Sequence, residues 1–460
     1  MGIPDPVDPG TVHELQGIFA PVHDERDVDA AITISGRVPD DLHGAYLRNG
    51  PNPLFPPLGG YTFPFDGDAM IHGLWFDEGR VRYRNRFVWT DELCLERDAG
   101  RALFGGVLSG YVPDADAVPA AFAGSHKTTP FINVVQHAGR LFACAESQTW
   151  WEVDADLATT GPAHFDGSMA RLTAHPKRDP ITGELILFVY RHDAPYLMWG
   201  IVGPDGEATV PMQPLDVPDA PLMVHDFAIT EHYLVFVLAP LLFDPTGQHD
   251  FGPIAWQPER GTTIAVVPRP GTPGSVRVFE TEAFWMWHVA NAYEDGERII
   301  VDTHRMDDPF TASPGTVQLV RLAIDLAAGT VTMDRRDDRS CEFARIDDRL
   351  IGRRHDWFII SADSGDNPFG ADAFDQLWRV EGDSGAITER RLGAEGIGES
   401  IFAPRADGDG GYVLSYLYTL DGDTTDLLIL DVDDLDGDEV ARIHLPVRVP
   451  LGLHGSWVDP

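Results

Sequence analysis

The sequence has few cysteines and no long hydrophobic run. Only three of its 460 residues are cysteine, Cys94, Cys144 and Cys341, which is too few for a disulfide framework and fits a reducing compartment. No stretch of about 18 apolar residues could form a transmembrane helix. The N-terminus has neither the basic start nor the apolar run of a signal peptide. These absences predict a cytoplasmic protein that at most touches a membrane from one side.

Positive charge is also scarce. The chain has 34 lysine and arginine residues against 73 aspartate and glutamate residues, which gives a formal net charge of −39. Only two of the basic residues are lysines, Lys127 and Lys177. The phosphate groups of nucleic acids would be repelled by such a chain, so nucleic acid is not expected as a partner. No feature of the sequence indicates an obligate protein partner.

Long helical periodicity is nearly absent, and this bears on the fold. From residue 180 onward, short runs rich in Val, Ile, Leu and aromatic residues alternate with acidic turns that contain Gly or Pro. Many short strands without intervening helices indicate a sandwich, a barrel or a propeller. Two short helices are predicted as exceptions, near Thr11–Ile18 and within Ala102–Ala123.

Polar residues recur at intervals that favour the propeller. The intervals are 50, 63, 54, 57 and 55 residues, and they run through His175, His225, His288, Glu342, Glu399 and His454. Each interval approximates one four-stranded blade, somewhat longer than the common propeller repeat of about 40–50 residues. One polar residue per blade would converge on the central axis, so the spacing predicts a site there.

Four of these positions are histidines, and most of them have apolar neighbours. His225 lies in Met-Val-His-Asp-Phe, His288 in Trp-Met-Trp-His-Val and His454 in Gly-Leu-His-Gly-Ser. A buried imidazole needs a partner for each ring nitrogen, and a metal ion supplies one. Imidazole suits iron, zinc, copper and nickel, so the ligand type leaves the metal open. The other thirteen histidines, among them His304 and His355, are interpreted as ordinary hydrogen-bonded residues.

Seven motifs surround these histidines in a characteristic order. They are Leu47-Arg-Asn-Gly-Pro-Asn-Pro53, Pro57-Leu-Gly-Gly-Tyr61, Phe65-Asp-Gly-Asp-Ala-Met-Ile-His-Gly73, Asn133-Val-Val-Gln-His-Ala-Gly-Arg-Leu141, Trp256-Gln-Pro-Glu-Arg-Gly261, Cys341-Glu-Phe-Ala-Arg-Ile346 and Glu399-Ser-Ile-Phe-Ala-Pro-Arg405. With these motifs the sequence resembles the carotenoid cleavage oxygenase family over nearly its whole length. The resemblance implies an all-β fold, a seven-bladed β-propeller with a small cap of helix and loop. It also implies one domain over residues 1–460, with cap and access-tunnel elements at about 100–130.

The resemblance further implies a non-haem iron dioxygenase with one Fe(II) per chain and O2 as co-substrate. The family's four ligands fall on His175, His225, His288 and His454. Its supporting glutamates fall on Glu146, Glu342 and Glu399, expected to accept hydrogen bonds from His225, His288 and His454 respectively. A carboxylate on the far ring nitrogen fixes the tautomer of a ligand and offsets the charge of the ion. The implied reaction splits a carbon–carbon double bond of a lipophilic small molecule into carbonyl fragments.

Two departures from the family pattern bear on the substrate. Ile132 stands where the family often has a threonine that crowds one coordination position, and an isoleucine there is expected to block that position as well. The branch that cleaves stilbenes and phenylpropanoids has a lysine directly before the first supporting glutamate, whereas this chain has Ala145. A phenolic substrate would lose its anchor, so a carotenoid or apocarotenoid is favoured.

Access to the site is predicted from apolar residues. Phe284, Trp285 and Trp287 stand next to His288 and are candidates for the lining of a substrate tunnel, although packing within the propeller explains them equally well. The segment Leu103–Phe122 carries few charges. It is expected either to form an exposed patch that draws a substrate from a membrane or to pack over the mouth of the propeller.

Other functions remain open at this stage. The same iron site could act on a stilbenoid or an isoeugenol-like propenylphenol, or the scaffold could support an isomerase that does not consume O2. A metal-free propeller that binds another protein is the alternative from a different class. Iron content and products labelled from 18O2 separate these alternatives.

Overall fold

The apolar runs form strands in the computed structural model, and these strands pair into seven antiparallel sheets and one separate hairpin. The sheets are the blades of a seven-bladed β-propeller, which confirms the predicted fold class. The structure describes residues 3–29, 31–106, 109–165, 169–244, 253–310, 317–406, 408 and 410–459. Among these, no helix is long and apolar enough to cross a membrane.

The described strands are, in chain order, β1 Arg26–Val28, β2 Thr33–Gly36, β3 Gly44–Arg48, β4 Met70–Asp77, β5 Arg80–Phe87, β6 Asn133–His137, β7 Arg140–Cys144, β8 Trp151–Val153, β9 Thr159–Pro162, β10 Lys177–Arg178, β11 Leu185–Tyr190, β12 Leu197–Val202, β13 Ala208–Pro214, β14 Ala228–Ile229, β15 Tyr233–Leu238, β16 Leu241–Phe243, β17 Ile254–Trp256, β18 Thr262–Pro268, β19 Arg277–Thr281, β20 Val289–Asp295, β21 Arg298–Met306, β22 Val317–Asp325, β23 Thr330–Asp337, β24 Cys341–Arg345, β25 Trp357–Ala362, β26 Gln376–Glu381, β27 Ile387–Arg391, β28 Glu395–Pro404, β29 Gly411–Thr419, β30 Thr425–Asp431, β31 Ala441–His444 and β32 Gly455–Val458.

The two ends of the chain close the ring of blades. Blade 1 has the order β32-β3-β4-β5-β1, so the last strand of the chain pairs with β3 near its start. Blade 7 has the order β28-β29-β30-β31-β2, so an early strand completes the last blade. Between them lie β6–β9, β10–β13, β14-β15-β18-β19, β20–β23 and β24–β27, with β16 and β17 as the separate hairpin.

The first strands of neighbouring blades contact one another around the axis, as β24 contacts β28, β28 contacts β32, and β32 contacts β6. We call these strands the inner strands. Their outer neighbours are the apolar strands, and in β11 and β29 nearly every residue is buried. Hydrophobic clusters shared by adjacent blades therefore hold the inner strands in place around the axis.

One α-helix is present among the described residues, α1 Asp91–Ala99. It begins where Thr90 Oγ1 accepts a hydrogen bond from Leu93 N and ends at Gly100, whose φ of 67° suits glycine. The predicted position within Ala102–Ala123 is wrong, because the described part of that segment forms turns. Near Thr11–Ile18 the chain forms three short 3-10 turns, at Pro9–Thr11, His13–Leu15 and Gly17–Phe19.

Candidate metal centre

The regular spacing of the polar residues has a structural cause. Each inner strand contains, or begins just after, one of the residues singled out in the sequence. These residues are Ile132, His175, His225, His288, Glu342, Glu399 and His454. The inner strands from β14 through β20, β24, β28 and β32 to β6 contact one another in turn, so side chains at this place are held close to one another. Glu146 is the exception, since it follows β7 in blade 2.

The four histidines form a single cluster. One ring nitrogen from each of His175, His225, His288 and His454 lies within 4.8 Å of the other three. His225 Nε2 and His288 Nε2 are 3.2 Å apart, and the ring of His175 lies 4.4 to 4.9 Å from the other three rings. All four side chains are largely buried. The structure therefore brings together the four histidines that the sequence selected.

Three of the imidazoles direct their other ring nitrogen at a glutamate. His225 Nδ1 lies 2.7 Å from Glu146 Oε2, and His288 Nδ1 lies 2.7 Å from Glu342 Oε2. His454 Nδ1 lies 3.0 Å from Glu399 Oε1. A carboxylate accepts hydrogen bonds, so in the His288 and His454 pairs Nδ1 carries the hydrogen and Nε2 keeps a lone pair. The His225–Glu146 pair is a close contact without the alignment of a hydrogen bond. The pairs are those that the resemblance implied.

This arrangement fits a cation. Two Nε2 lone pairs 3.2 Å apart would repel each other unless a positive centre lies between them. His175 Nε2 is buried and has no hydrogen-bond partner among the described residues. Unpaired buried nitrogen atoms are costly, and a metal ion is the partner that can satisfy several at once. The cluster thus has the donor set of a metal site, without selecting among iron, cobalt, zinc and copper.

Each glutamate is held by a second partner, and the three partners differ. Tyr190 Oη donates to Glu146 Oε1 at 2.9 Å. His304 Nδ1 lies 3.0 Å from Glu342 Oε1. Glu399 accepts from Arg345 Nη1 at 3.2 Å and from the Gly455 backbone N–H at 2.8 Å. These outer residues were not selected from the sequence.

Burial and neighbouring charges favour neutral imidazoles at His175 and His288 and an ionised carboxylate at Glu399. Burial lowers the pKa of His175 well below its usual value, and it lowers the pKa of His288 to about 4 against the opposing effect of Glu342. Burial would raise the pKa of Glu399, but Arg345 and His454 lower it to about 2. For His225, burial is outweighed by Glu146, which raises the pKa. A neutral imidazole is the form that binds a metal.

Asp226 joins three of the ligand-bearing segments, and sequence reasoning missed it. Its carboxylate accepts from Phe227 N at 2.8 Å and from Val289 N at 2.9 Å, and Lys177 Nζ lies 2.7 Å from it. Lys177, Phe227 and Val289 each lie within two residues of a histidine of the cluster. The only available signal was its place directly after His225, next to an apolar run.

A cavity of about 370 Å³ reaches three of the histidines, His175, His288 and His454. Its walls are mixed, since charged residues such as Lys177 and Arg345 alternate with apolar ones such as Phe343 and Phe402.

The three tunnel candidates occupy different environments. Phe284 and Trp285 are 0% and 2% exposed and belong to hydrophobic clusters between strands. Trp287 stands edge-on to His225, with ring centroids 5.0 Å apart. None of the three is among the described residues that line the cavity beside His175, His288 and His454. Ile132 lies beside the cluster, because its carbonyl oxygen accepts from His454 N at 3.1 Å.

In the described part of the segment Leu103–Phe122, most of the large apolar side chains pack inward. Leu103, Phe104 and Val118 are buried in a small cluster, and Val112 is 37% exposed. Residues 107 and 108 lie outside the described part of the chain. Contact with a membrane stays a prediction.

Comparison with known proteins agrees with the geometry. The model of the retinal pigment epithelial membrane protein family matches residues 19–459. A carotenoid cleavage oxygenase of Mycobacterium tuberculosis is 33% identical, over 96% of this chain and 97% of that protein. The crystal structure of the Pseudomonas brassicacearum lignostilbene dioxygenase superposes with a TM-score of 0.85, at 30% identity over 100% of both chains. A variant of the Synechocystis apocarotenoid oxygenase superposes with a TM-score of 0.83, at 26% identity over 96% of this chain and 97% of that one. The chain therefore belongs to the carotenoid cleavage oxygenase family, and it is an oxidoreductase of the dioxygenase class.

Proposed function

We propose that this chain is an Fe(II)-dependent dioxygenase that cleaves a carbon–carbon double bond of a carotenoid or apocarotenoid to give aldehyde or ketone fragments. The observation that carries the proposal is the buried cluster of four imidazole nitrogens within 4.8 Å of one another. When bound, the ion would supply the redox chemistry that lets O2 react with an alkene. The protein supplies the ligand geometry and a dry environment around it.

The charges around the cluster support a divalent ion. Glu146, Glu342 and Glu399 contribute three negative charges, and Arg345 contributes one positive charge. The immediate shell is thus left with two negative charges, which a divalent cation would balance. Neutral imidazoles add no charge of their own, so the outer carboxylates set this balance.

We further propose that Ile132 restricts access to one side of the ion. Its backbone is fixed by two hydrogen bonds, from Ile132 N to Cys144 O at 3.0 Å and from His454 N to Ile132 O at 3.1 Å. A β-branched side chain on such a fixed backbone has little freedom to move away. Trp287 would offer an aromatic surface to an apolar substrate near His225.

The proposed polyene substrate is supported by how the lysines are used. Ala145 is buried and offers no charge next to Glu146. Lys127 contacts Asp68 and Glu96, and Lys177 lies 2.7 Å from Asp226. Both lysines of the chain are therefore neutralised by carboxylates, and neither is free to hold a phenolate. A phenolic alkene, the alternative substrate, is supported by the similarity to the lignostilbene dioxygenase.

The test is a substrate panel under labelled oxygen. The chain is purified without oxygen, reconstituted with Fe(II), and given an apocarotenal or isoeugenol together with 18O2. We expect carbonyl fragments of the apocarotenal that contain 18O and little conversion of isoeugenol. Reconstitution with Zn(II) is the matched control, because zinc suits the same ligands and has no redox chemistry.

Each result bears on a separate part of the proposal. Cleavage of isoeugenol alone would replace the polyene by a phenolic substrate. Equal turnover with Zn(II), or isomerised products without 18O, would contradict the oxidative reaction. Full activity of His288→Ala would contradict the assignment of the metal ligands.

A further inference from the structure

The segment that carries His288 leaves the regular β-ladder. Trp285 pairs with Met306 through two backbone hydrogen bonds, of 2.9 and 2.7 Å, and Val289 pairs with Thr303. Between these pairs, residues 286–288 face only residues 304 and 305. A strand with one extra residue bulges, and its backbone groups lose their partners in the ladder.

Two side chains of β21 replace the missing bonds. Thr303 Oγ1 donates to the His288 carbonyl oxygen at 2.7 Å. The Trp287 backbone N–H donates to His304 Nε2 at 2.9 Å. Because Nε2 of His304 accepts, the ring proton of this imidazole lies on Nδ1. His304 is 1% exposed, so water does not compete for either nitrogen.

His304 Nδ1 also lies close to the carboxylate that supports His288. His304 Nδ1 lies 3.0 Å from Glu342 Oε1, and His288 Nδ1 lies 2.7 Å from Glu342 Oε2. His304 thus connects the Trp287 amide, which donates to its Nε2, with Glu342, which lies next to its Nδ1. Glu342 Oε2 accepts the hydrogen bond from His288 Nδ1, and His288 Nε2 therefore keeps its lone pair.

We propose that His304 is a positioning residue of the metal centre, which holds Glu342 and thereby orients His288 toward the ion. This inference rests on the proposed function in that it assumes a metal on the four histidines. His304 acts twice on the same segment, through the backbone of Trp287 and through the partner of His288. Tyr190, the outer partner of Glu146, has no such link, whereas Arg345 has a comparable one, because it donates both to Glu399 and to the carbonyl oxygen of Gly455 beside His454.

Without His304, the buried Oε1 of Glu342 would lose its imidazole partner. The carboxylate would then be held only through Oε2, by His288 and the Phe343 backbone N–H, and the bulge would lose the acceptor for its Trp287 amide. Outer partners of this kind are typically worth 10- to 100-fold in metal affinity. We therefore expect His304 to affect metal affinity although it is not itself a ligand of the ion.

The test measures Co(II) affinity of the full chain after removal of metal, by titration of its visible absorption. His304→Phe removes the acceptor of the Trp287 amide and the contact with Glu342, and its side chain is of similar size. His304→Asn can keep a donor near the position of Nδ1. We expect His304→Phe to bind Co(II) about 10- to 100-fold more weakly and to change the absorption bands. His304→Asn should lie closer to the parent chain than to His304→Phe.

His355→Phe is the matched control. His355 is also a buried histidine, with Nε2 3.1 Å from Asp302 and Nδ1 3.1 Å from the Asn291 amide, but it has no contact with the glutamates of the cluster among the described residues. Both Phe variants should lower the unfolding temperature, and only His304→Phe should weaken Co(II) binding. A folded His304→Phe with parental Co(II) affinity and absorption, or an equal loss in His355→Phe, would overturn the inference alone. A parent chain that binds no Co(II) would overturn the proposed metal centre as well.

Discussion

At the scale of single residues, Arg345 carries the charge that makes Glu399 tolerable in the interior. The Arg345 guanidinium donates to Glu399 at 3.2 Å and to the carbonyl oxygen of Gly455 at 2.9 Å. Glu399 is 6% exposed, so an unpaired negative charge there would be expensive. Two blades meet at this pair, since Arg345 ends β24 and Glu399 lies in β28. The ion pair therefore links blade stability to the orientation of His454.

Arg345→Leu should lower the free energy of unfolding by about 3 kcal/mol near neutral pH, because it leaves a buried carboxylate without its cation. The pKa of Glu399 is about 2, so the ionised form contributes stability above the usual carboxylate pKa and loses it as the pH falls toward 2. Without Arg345 that pKa rises, and the difference from the parent should shrink on acidification. Urea unfolding at about pH 7 and about pH 4 measures both effects.

The control is Arg354→Leu, whose exposed ion pair with Asp383 has a nitrogen–oxygen distance of 2.6 Å. Such an exposed pair is screened by solvent and should contribute little to the free energy of unfolding. Equal losses in the two variants would show that the buried charge of Glu399 does not need Arg345.

At the scale of elements, β32 is the strand on which closure of the ring and the metal centre meet. It directly follows His454, pairs with β3, and begins at Gly455, whose N–H donates to Glu399. A Cβ added to Gly455 would lie 2.5 Å from the ring of Tyr46 and 2.9 Å from the carbonyl oxygen of Leu47. The backbone oxygen cannot move without disturbing the ladder, so only glycine fits here.

Gly455→Ala should therefore cost about 1–3 kcal/mol in the free energy of unfolding and weaken metal binding at the same time. Both effects have one cause, since the strand must shift away from β3 and takes the Gly455 amide away from Glu399. Gly60→Ala is the control, because a Cβ there meets no atom within 4 Å. Denaturant unfolding together with Co(II) titration would test this, and parental values for both would contradict the steric argument.

At the scale of the whole molecule, the net charge of −39 opposes a compact ring. Repulsion between exposed carboxylates falls with ionic strength, since the screening length decreases from about 30 Å at 0.01 M to about 3 Å at 1 M salt. We expect the unfolding temperature of the metal-loaded chain to rise over that range of NaCl. The same experiment in KCl controls for a specific ion effect. A temperature that stays constant or falls would mean that favourable ion pairs outweigh the repulsion.

The sequence alone determined the fold class and the place of the site. Short apolar runs of strand length, separated by turns, can only be satisfied by sheets, and this much is local information. The spacing from His175 to His454 followed from the same cause, because each blade returns the chain to the axis after a similar length. Spacing indicated these positions, and the order of the motifs, through the resemblance to the family, turned them into a specific metal site before any coordinates were known.

Only the tertiary structure decided which residues support those positions. Tyr190, Asp226, His304 and Arg345 had no periodicity of their own, and each acts across a strand or a blade boundary. Their partners are fixed by pairing register and by the bulge before β20, neither of which composition or spacing reveals. The start of α1 at Thr90 was missed because one capping residue is a weak local signal. Long-range geometry thus decided how the histidines are oriented, whereas local pattern had already determined that they meet.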